Sequence, residues 1–146
     1  MNDQTVNILL VDDDDIDVEA VQRSFRKAKI ANPIQVAADG LVALDILRGN
    51  NGHSPIPRPY MILLDLNMPR MNGIEFLEEV RQNPDIKDSV IFVLTTSNDD
   101  RDKVAAYEKN VAGYLVKSNA GTDFVNLIEF LEHYWRYIEL PPIKDG

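Results

Sequence analysis

The segment "LLDLNMPRMNG", residues 63–73, decides the fold because an apolar run ends on an acidic residue, Asp65. Tyr60 to Leu64 has the length and composition of a buried strand. A carboxylate at the end of a buried strand is costly unless a partner compensates its charge. The Pro, Asn and Gly residues that follow predict a loop, and residues 73–82 predict a helix that ends before Pro84.

The same alternation of short apolar runs and amphipathic segments repeats along the chain. Strands are predicted at residues 6–11, 34–38, 60–64, 90–94 and 113–116, and helices at 14–29, 39–48, 73–82, 99–110 and 122–138. In the second helix, Leu41, Leu44 and Leu47 are predicted to share one apolar face. Repeated strand–helix units predict an α/β fold, a parallel five-stranded sheet with helices on both faces and right-handed crossovers.

The composition limits the function classes. We expect one domain over residues 1–146, with a core of about residues 5–139 and a loose tail at 140–146. Cys is absent, which excludes disulfides and thiolate metal sites. The net charge of −9 argues against nucleic-acid binding. No apolar run is long enough to span a bilayer and no signal peptide is recognisable, so we expect a cytoplasmic protein without membrane contact.

Chemically distinctive side chains follow four of the predicted strands. Asp12 and Asp13 follow the first strand, Asp65 the third, Thr95 the fourth and Lys117 the fifth. Functional groups collect at the carboxyl ends of parallel strands. Clustered carboxylates without His or Cys favour Mg²⁺ or Mn²⁺. A carboxylate beside a metal, an ammonium and a hydroxyl is suited to accept a phosphoryl group.

Four motifs resemble those of the receiver domain of two-component response regulators. They are "LLVDDDD" (9–15), "ILLDLNMPRMNG" (62–73), "VLTTS" (93–97) and "GYLVKS" (113–118). The resemblance implies a flavodoxin-like fold with strand order 2-1-3-4-5. It covers nearly the whole chain and is greatest to single-domain regulators paired with cyanobacterial phytochrome kinases.

The resemblance also implies a role for individual residues in a His–Asp phosphorelay. Asp65 would accept a phosphoryl group from a sensor histidine kinase or a phosphotransfer protein. Mg²⁺, with Mn²⁺ as the alternative, would be bound by Asp13, Asp65 and the backbone carbonyl of Asn67, and by Asp12 through water. The implied function is a signal receiver that phosphorylates its own aspartate and slowly loses the group, not an enzyme acting on other substrates.

Further residues are implied to contact the phosphoryl group and to report its presence. Lys117, Thr95 and the backbone of Thr96 would stabilise the phosphoryl oxygens. Thr95 and Tyr114 would move together as a switch. The chain departs from the family at Ser118, where Pro is usual after a cis peptide. A cis bond to a non-Pro residue costs about 3–4 kcal/mol, so the Lys117–Ser118 peptide is either strained or rebuilt in trans.

The last predicted helix carries a second aromatic stripe besides its packing face. Phe130, Tyr134 and Tyr137, with His133, lie off that face at helical spacing. One interpretation is partial burial beneath the tail. The other is an interface, since exposed apolar patches mark interaction sites. We therefore expect either that the tail partly covers this stripe or that the chain forms a homodimer through the fourth helix, fifth strand and fifth helix. An unknown downstream protein is a further expected partner.

Three other functions compete with the relay. A phosphatase of the haloacid-dehalogenase type would need a second Asp two residues after the nucleophile, where this chain has Asn67. A flavodoxin-like nucleotide or flavin binder would need a Ser/Thr/Gly-rich phosphate loop after the first strand, where the chain has Asp12 to Asp15. A receiver-shaped binding module that is never phosphorylated is the third alternative, and Ser118 is its best support.

Overall fold

The computed structural model describes residues 5–117 and 125–142, in which strands and helices alternate. The strands are β1 (Asn7–Val11), β2 (Ile34–Ala37), β3 (Tyr60–Leu64), β4 (Val90–Thr95) and β5 (Gly113–Val116). The helices are α1 (Asp15–Lys27), α2 (Gly40–Arg48), α3 (Gly73–Gln82), α4 (Asp100–Glu108) and α5 (Val125–Tyr137). Ser118 and residues 122–124, the predicted start of the last helix, lie outside the described part of the chain.

All strands are parallel and follow the order β2-β1-β3-β4-β5, which confirms the predicted fold. Val11 is in register with Leu64, and Thr95 is in register with Val116. The carboxyl ends of β1, β3, β4 and β5 therefore reach the same edge of the sheet. Residues that follow these strands meet there, as the alternation predicted.

Each face of the sheet has its own apolar core because neighbouring residues of a strand point to opposite faces. The first core combines Leu9, Ile62 and Val93 with residues of α2 and α3, and the second combines Leu10, Leu63 and Phe92 with residues of α1 and α5. Helices thus cover both faces, which explains strands of continuous apolar sequence. No helix within residues 5–117 or 125–142 is both long and apolar enough to cross a bilayer.

Capping side chains start the helices next to the strand ends. Asp14 accepts a hydrogen bond from the backbone N–H of Ile16, and Asp39 accepts one from Val42. Asn72 and Glu75 form a capping box at the start of α3. Side-chain acceptors satisfy N–H groups that have no partner within the helix, so these acids and amides fix where each helix begins.

The second helix differs from its predicted packing at one position. Leu44 and Leu47 are buried, but Leu41 is 42% exposed, so the expectation that all three share the buried face was wrong. The buried side of α2 is formed by positions 40, 43, 44, 46 and 47. With 3.6 residues per turn, position 41 lies to the side of that face.

One half-buried guanidinium, that of Arg81 in α3, joins the connections around β4. Arg81 donates hydrogen bonds to the carbonyl oxygens of Lys109 and Lys87 at 2.7 Å, Ser89 at 2.8 Å and Asn110 at 3.0 Å. Asn110 follows α4 in the left-handed conformation, with φ of 60°, which Asn tolerates better than most residues. Arg81 therefore joins the loop before β4 to the loop after α4.

Candidate functional site

Three carboxylates meet at the carboxyl edge of the sheet. Asp12 and Asp13 follow β1, and Asp65 follows β3. One oxygen of each lies within 4.8 Å of the others. Asp12 and Asp65 are buried, at 3% and 6% exposure, whereas Asp13 is exposed. Since β1 and β3 are adjacent and in register, the sheet itself brings these acids together.

Lys117 is the ammonium that contacts this group. Its Nζ donates to an oxygen of Asp12 at 2.8 Å, of Asp17 at 2.7 Å and of Asp65 at 3.5 Å. Lys117 follows β5, two strands away from β3, and its side chain is 6% exposed. A buried ammonium with carboxylate partners at these distances is charge-paired.

The surroundings shift the pKa of both members of the closest buried pair. Burial raises the pKa of the Asp12 carboxyl to about 6, although hydrogen bonds from Lys117 and from the backbone of Asp14 oppose the rise. Burial also acts to lower the pKa of Lys117, but hydrogen bonds to Asp12 and Asp17 outweigh it and raise that pKa. Lys117 is therefore charged at neutral pH, while Asp12 takes up a proton in mildly acidic solution.

The two oxygens of Asp65 have different partners. Oδ1 accepts a hydrogen bond from the Thr95 hydroxyl at 2.8 Å and one from the backbone N–H of Asn67 at 3.2 Å. Oδ2 faces Lys117 at 3.5 Å. A carboxylate with one oxygen held this way has a fixed orientation. Among the described residues, its other oxygen has only the long contact to the ammonium.

An open cleft leads from solvent to Asp65. Its lining includes Asp13, Asp17, Asn67 and the exposed Thr96 at the end of β4. In residues 5–117 and 125–142, the Asp13 side chain has no hydrogen bond or ion pair with the protein. Its oxygens are thus free to bind something that enters the cleft.

Tyr114 of β5 is connected to the loop that carries Thr95. Its hydroxyl donates to the carbonyl oxygen of Ser97 at 2.9 Å. The Ser97 hydroxyl donates to Asp102 at 2.5 Å, and the Ser97 N–H lies 3.4 Å from the Thr95 hydroxyl oxygen. A displacement of Thr95 can therefore reach Tyr114 through this loop.

Gly73 allows α3 to start directly against the backbone of the loop that follows β3. A Cβ at this position would lie 2.6 Å from Cα of Leu66 and 2.8 Å from the carbonyl oxygen of Asp65. The Gly73 N–H donates to the Leu66 carbonyl at 2.9 Å. Any larger residue would displace backbone, so Gly73 fixes the path of the chain next to Asp65.

The aromatic stripe of α5 is exposed only in part. Phe130 and Tyr137 are exposed, at 53% and 81%. Tyr134 instead packs edge-to-face on Phe92 of β4, with ring centroids 4.8 Å apart, which corrects the expectation that it lies off the packing face. Tyr134 follows the half-buried Leu127 by seven residues, nearly two helical turns, and so points to the same side.

The donor set of the acidic cluster suits a hard divalent cation. Asp12, Asp13 and Asp65 offer carboxylate oxygens, and the group of neighbouring ligands found in the described ranges includes no His or Cys. Oxygen ligands of this kind are preferred by Mg²⁺ and Mn²⁺. Such an ion, together with Lys117, would neutralise an oxyanion held at Asp65.

Sequence reasoning brought Asp12, Asp13, Asp65, Thr95 and Lys117 to one site, and the structure places them together. It assigned no role to Asp17, which is a close partner of Lys117, because Asp17 is one of seven acids in residues 1–20. A useful signal was available. Asp17 lies on the same helical side as Ala20, Val21 and Ser24, three of the buried positions of α1, whereas Asp15 and Glu19 do not.

Comparisons with known proteins agree with this site. A family model described as the response regulator receiver domain matches residues 8–129. The chain is 39% identical over 128 residues to response regulator Rcp1 of Synechocystis sp., covering 88% of this chain and 87% of Rcp1.

Two solved structures are similar in fold over most of their length. The Mn²⁺-bound form of Rcp1 aligns with a TM-score of 0.82 and 38% identity, covering 93% of this chain and 99% of that one. The phosphorylated cyanobacterial phytochrome response regulator RcpA aligns with a TM-score of 0.85 and 29% identity, covering 94% and 99%.

Proposed function

The chain belongs to the response regulator receiver family, and we propose that it receives a phosphoryl group on Asp65 in a His–Asp phosphorelay. The observation that carries the proposal is the setting of Asp65. It is a buried carboxylate at a strand end, with the Thr95 hydroxyl on one oxygen and Lys117 near the other. This setting orients a nucleophile and provides cations for the oxygens that would arrive with the phosphoryl group.

Transfer requires that an oxygen of Asp65 bonds to phosphorus as the bond to the donor breaks. With a phosphohistidine donor, the P–N bond breaks, its electron pair remains on the imidazole nitrogen, and an acyl phosphate forms. Lys117 would pair with the phosphoryl oxygens, and Thr95 would turn its hydroxyl from Asp65 to the new group. The Thr96 backbone at the rim of the cleft would add a donor.

Mg²⁺ is the proposed cofactor, with Mn²⁺ as the alternative. Asp13, Asp65 and the backbone carbonyl of Asn67 would bind it directly, and Asp12 would act through water. When bound, the ion would offset the negative charge of the carboxylates and of the phosphoryl group. Asp13 supports this assignment because it is exposed and has no hydrogen bond or ion pair to any residue that the structure describes. The existence of a Mn²⁺-bound structure of Rcp1 supports it as well.

The signal would be a change in the protein surface near Tyr114. Once the Thr95 hydroxyl leaves Asp65, the hydrogen bonds that join Thr95, Ser97 and Tyr114 must rearrange. Tyr114 is half-buried and borders the surface between α4 and α5. Thr95 and Tyr114 would therefore act together as the switch.

The partners follow from this role. The donor would be a sensor histidine kinase or a phosphotransfer protein, and a phytochrome-type photoreceptor kinase is the specific candidate, because a similar structure is that of a phytochrome response regulator. The proposal treats residues 1–146 as one cytoplasmic receiver domain that signals by protein contacts and acts on no separate substrate.

We also propose a homodimer through α4, β5 and α5. Exposed Phe130 and Tyr137 on α5, and Val104 and Tyr107 on α4, provide apolar area on that side. Sedimentation should detect a dimer, strengthened by a phosphoryl mimic and weakened in Tyr137→Ser. A strictly monomeric chain at high concentration, with and without the mimic, would refute it.

Intact mass after incubation with acetyl phosphate tests the central proposal. We expect a gain of one phosphoryl group that requires Mg²⁺ or Mn²⁺ and is lost in Asp65→Asn. Asp15→Asn, which removes an exposed acid from the start of α1, is the matched control and should be phosphorylated normally. No gain in the folded native chain under any condition would favour the alternative, a phosphorylation-independent binding module.

A further inference from the structure

Lys117 is held most closely by carboxylates other than the acceptor. Its Nζ lies 2.7 Å from Asp17 and 2.8 Å from Asp12, but 3.5 Å from Asp65. An ammonium has three N–H donors. In this state two of them are directed to strong, short contacts, and the contact to Asp65 is at the limit of a hydrogen bond.

Asp17 is separate from the acids that suit a metal. It lies in the first turn of α1, and its side chain is 22% exposed. It is not part of the group formed by Asp12, Asp13 and Asp65, whose oxygens lie within 4.8 Å of one another. Within the part of the chain that the structure describes, its ion-pair partner is Lys117, which lies 100 residues further along the chain.

A phosphoryl group on Asp65 would change the competition for this ammonium. It would replace the single negative charge of the Asp65 carboxylate with up to two negative charges, and it would place several acceptor oxygens on that side of Lys117. As Lys117 moves closer to these oxygens, its single positive charge is shared among more anions, and its contact with Asp17 weakens. The Asp17 carboxylate would also repel the phosphoryl group across the cleft that both line.

We infer that Asp17 is a positioning residue that restrains Lys117 and thereby weakens the hold of the site on a phosphoryl group. This inference rests on the proposed function of Asp65. Both effects of Asp17 favour the unphosphorylated state. The residue therefore sets how much of the chain remains phosphorylated at a given supply of donor.

A charge-neutral variant isolates this effect, and the chain provides a matched control. Asp17→Asn keeps the shape of the side chain and removes its charge. Asp15→Asn removes an acid from the same first turn of α1, where the helix dipole favours negative charge, but Asp15 is exposed. Any change in affinity that comes only from removing a negative charge near the N-terminus of α1 should appear equally in both variants.

The dissociation constant of beryllofluoride, a phosphoryl analogue, at saturating Mg²⁺ measures the affinity of the site for a phosphoryl group. We expect Asp17→Asn to bind it about tenfold more tightly than the native chain, the effect of about one charge-assisted hydrogen bond. Asp15→Asn should remain within about twofold, since surface charges act weakly. Equal or weaker binding in folded Asp17→Asn would overturn the inference. Asp17→Ser, measured in parallel, gives the same test with a shorter side chain.

A second measurement follows Lys117 itself in the metal-free chain. NMR of the lysine ammonium groups, with the Lys117 signal assigned through Lys117→Arg, should detect a slowly exchanging ammonium. In Asp17→Asn this signal should shift and exchange faster, while Asp15→Asn should leave it unchanged. An unaltered Lys117 signal in Asp17→Asn would refute the restraint.

The outcomes separate the two proposals. If the native chain binds no beryllofluoride and gains no phosphoryl group, the proposed function and this inference both fail. If the native chain does both and Asp17→Asn behaves like it, the phosphorelay proposal stands and only the role of Asp17 is refuted.

Discussion

Replacement of Lys117 by Met is expected to destabilise the metal-free protein because it removes the counter-charge of a buried acidic cluster. The side chains of Asp12 and Asp65 are 2% and 8% exposed, and that of Asp17 is 22% exposed. Removal of one partner from a buried ion pair typically costs about 3–5 kcal/mol. The cost is smaller here because Asp12, with a pKa of about 6, can take up a proton instead. We therefore expect a loss of about 2–4 kcal/mol at pH 8.

Urea unfolding followed by circular dichroism, with a chelator present, measures this loss. At pH 5 the loss should be smaller than at pH 8, since protonation of Asp12 removes one of the uncompensated charges. Mg²⁺ should restore stability more in Lys117→Met than in the native chain, because the ion then replaces the missing positive charge. At a Mg²⁺ concentration 100 times the dissociation constant, binding contributes about 2.7 kcal/mol.

Lys87→Met is the matched control, since Lys87 is exposed and lies in a loop far from the cluster. It should change the free energy of unfolding by less than about 0.5 kcal/mol. If Lys117→Met were as stable as this control at pH 8 in chelator, the ammonium would not be compensating the buried acids. A loss that neither pH nor Mg²⁺ alters would refute the electrostatic reasoning and indicate a packing effect.

Two further predictions concern stability. Because the pKa of Asp12 is raised from 3.8 to about 6 in the folded state, the folded protein binds this proton more tightly than the unfolded chain does. The stabilisation that the proton provides is complete below about pH 4 and is lost as the pH rises through 6. In chelator, native stability relative to Asp12→Asn should fall by about 3 kcal/mol over that window, the equivalent of two pKa units, and a flat difference between the two chains would disprove it. Arg81→Ala should destabilise the chain by about 2–4 kcal/mol, since four carbonyl oxygens lose their hydrogen-bond donor. Phosphoryl uptake per folded molecule should not change. Arg81→Lys should not restore stability, because Lys lacks the planar guanidinium that reaches all four carbonyls.

The fold was predictable from local patterns because each strand and helix carries its own signal. Short runs rich in apolar residues identified the strands, and β3, α3 and β5 have the predicted bounds. The other bounds differ by a few residues, since caps such as Asp14 and Asp39 lie just outside their helices. Leu41 was misassigned because the spacing of apolar residues does not show how wide a face of the helix the sheet and the neighbouring helices cover.

The sequence by itself determined the order of strands and helices, and with it the edge at which Asp12, Asp13, Asp65 and Lys117 would meet. That followed because parallel strands align their carboxyl ends whatever their side chains are. The tertiary structure alone decided how Lys117 divides its hydrogen bonds, and that Asp17 takes one of them. Such a division depends on differences of less than 1 Å between groups about 100 residues apart, where burial and charge act together and spacing along the chain carries no information.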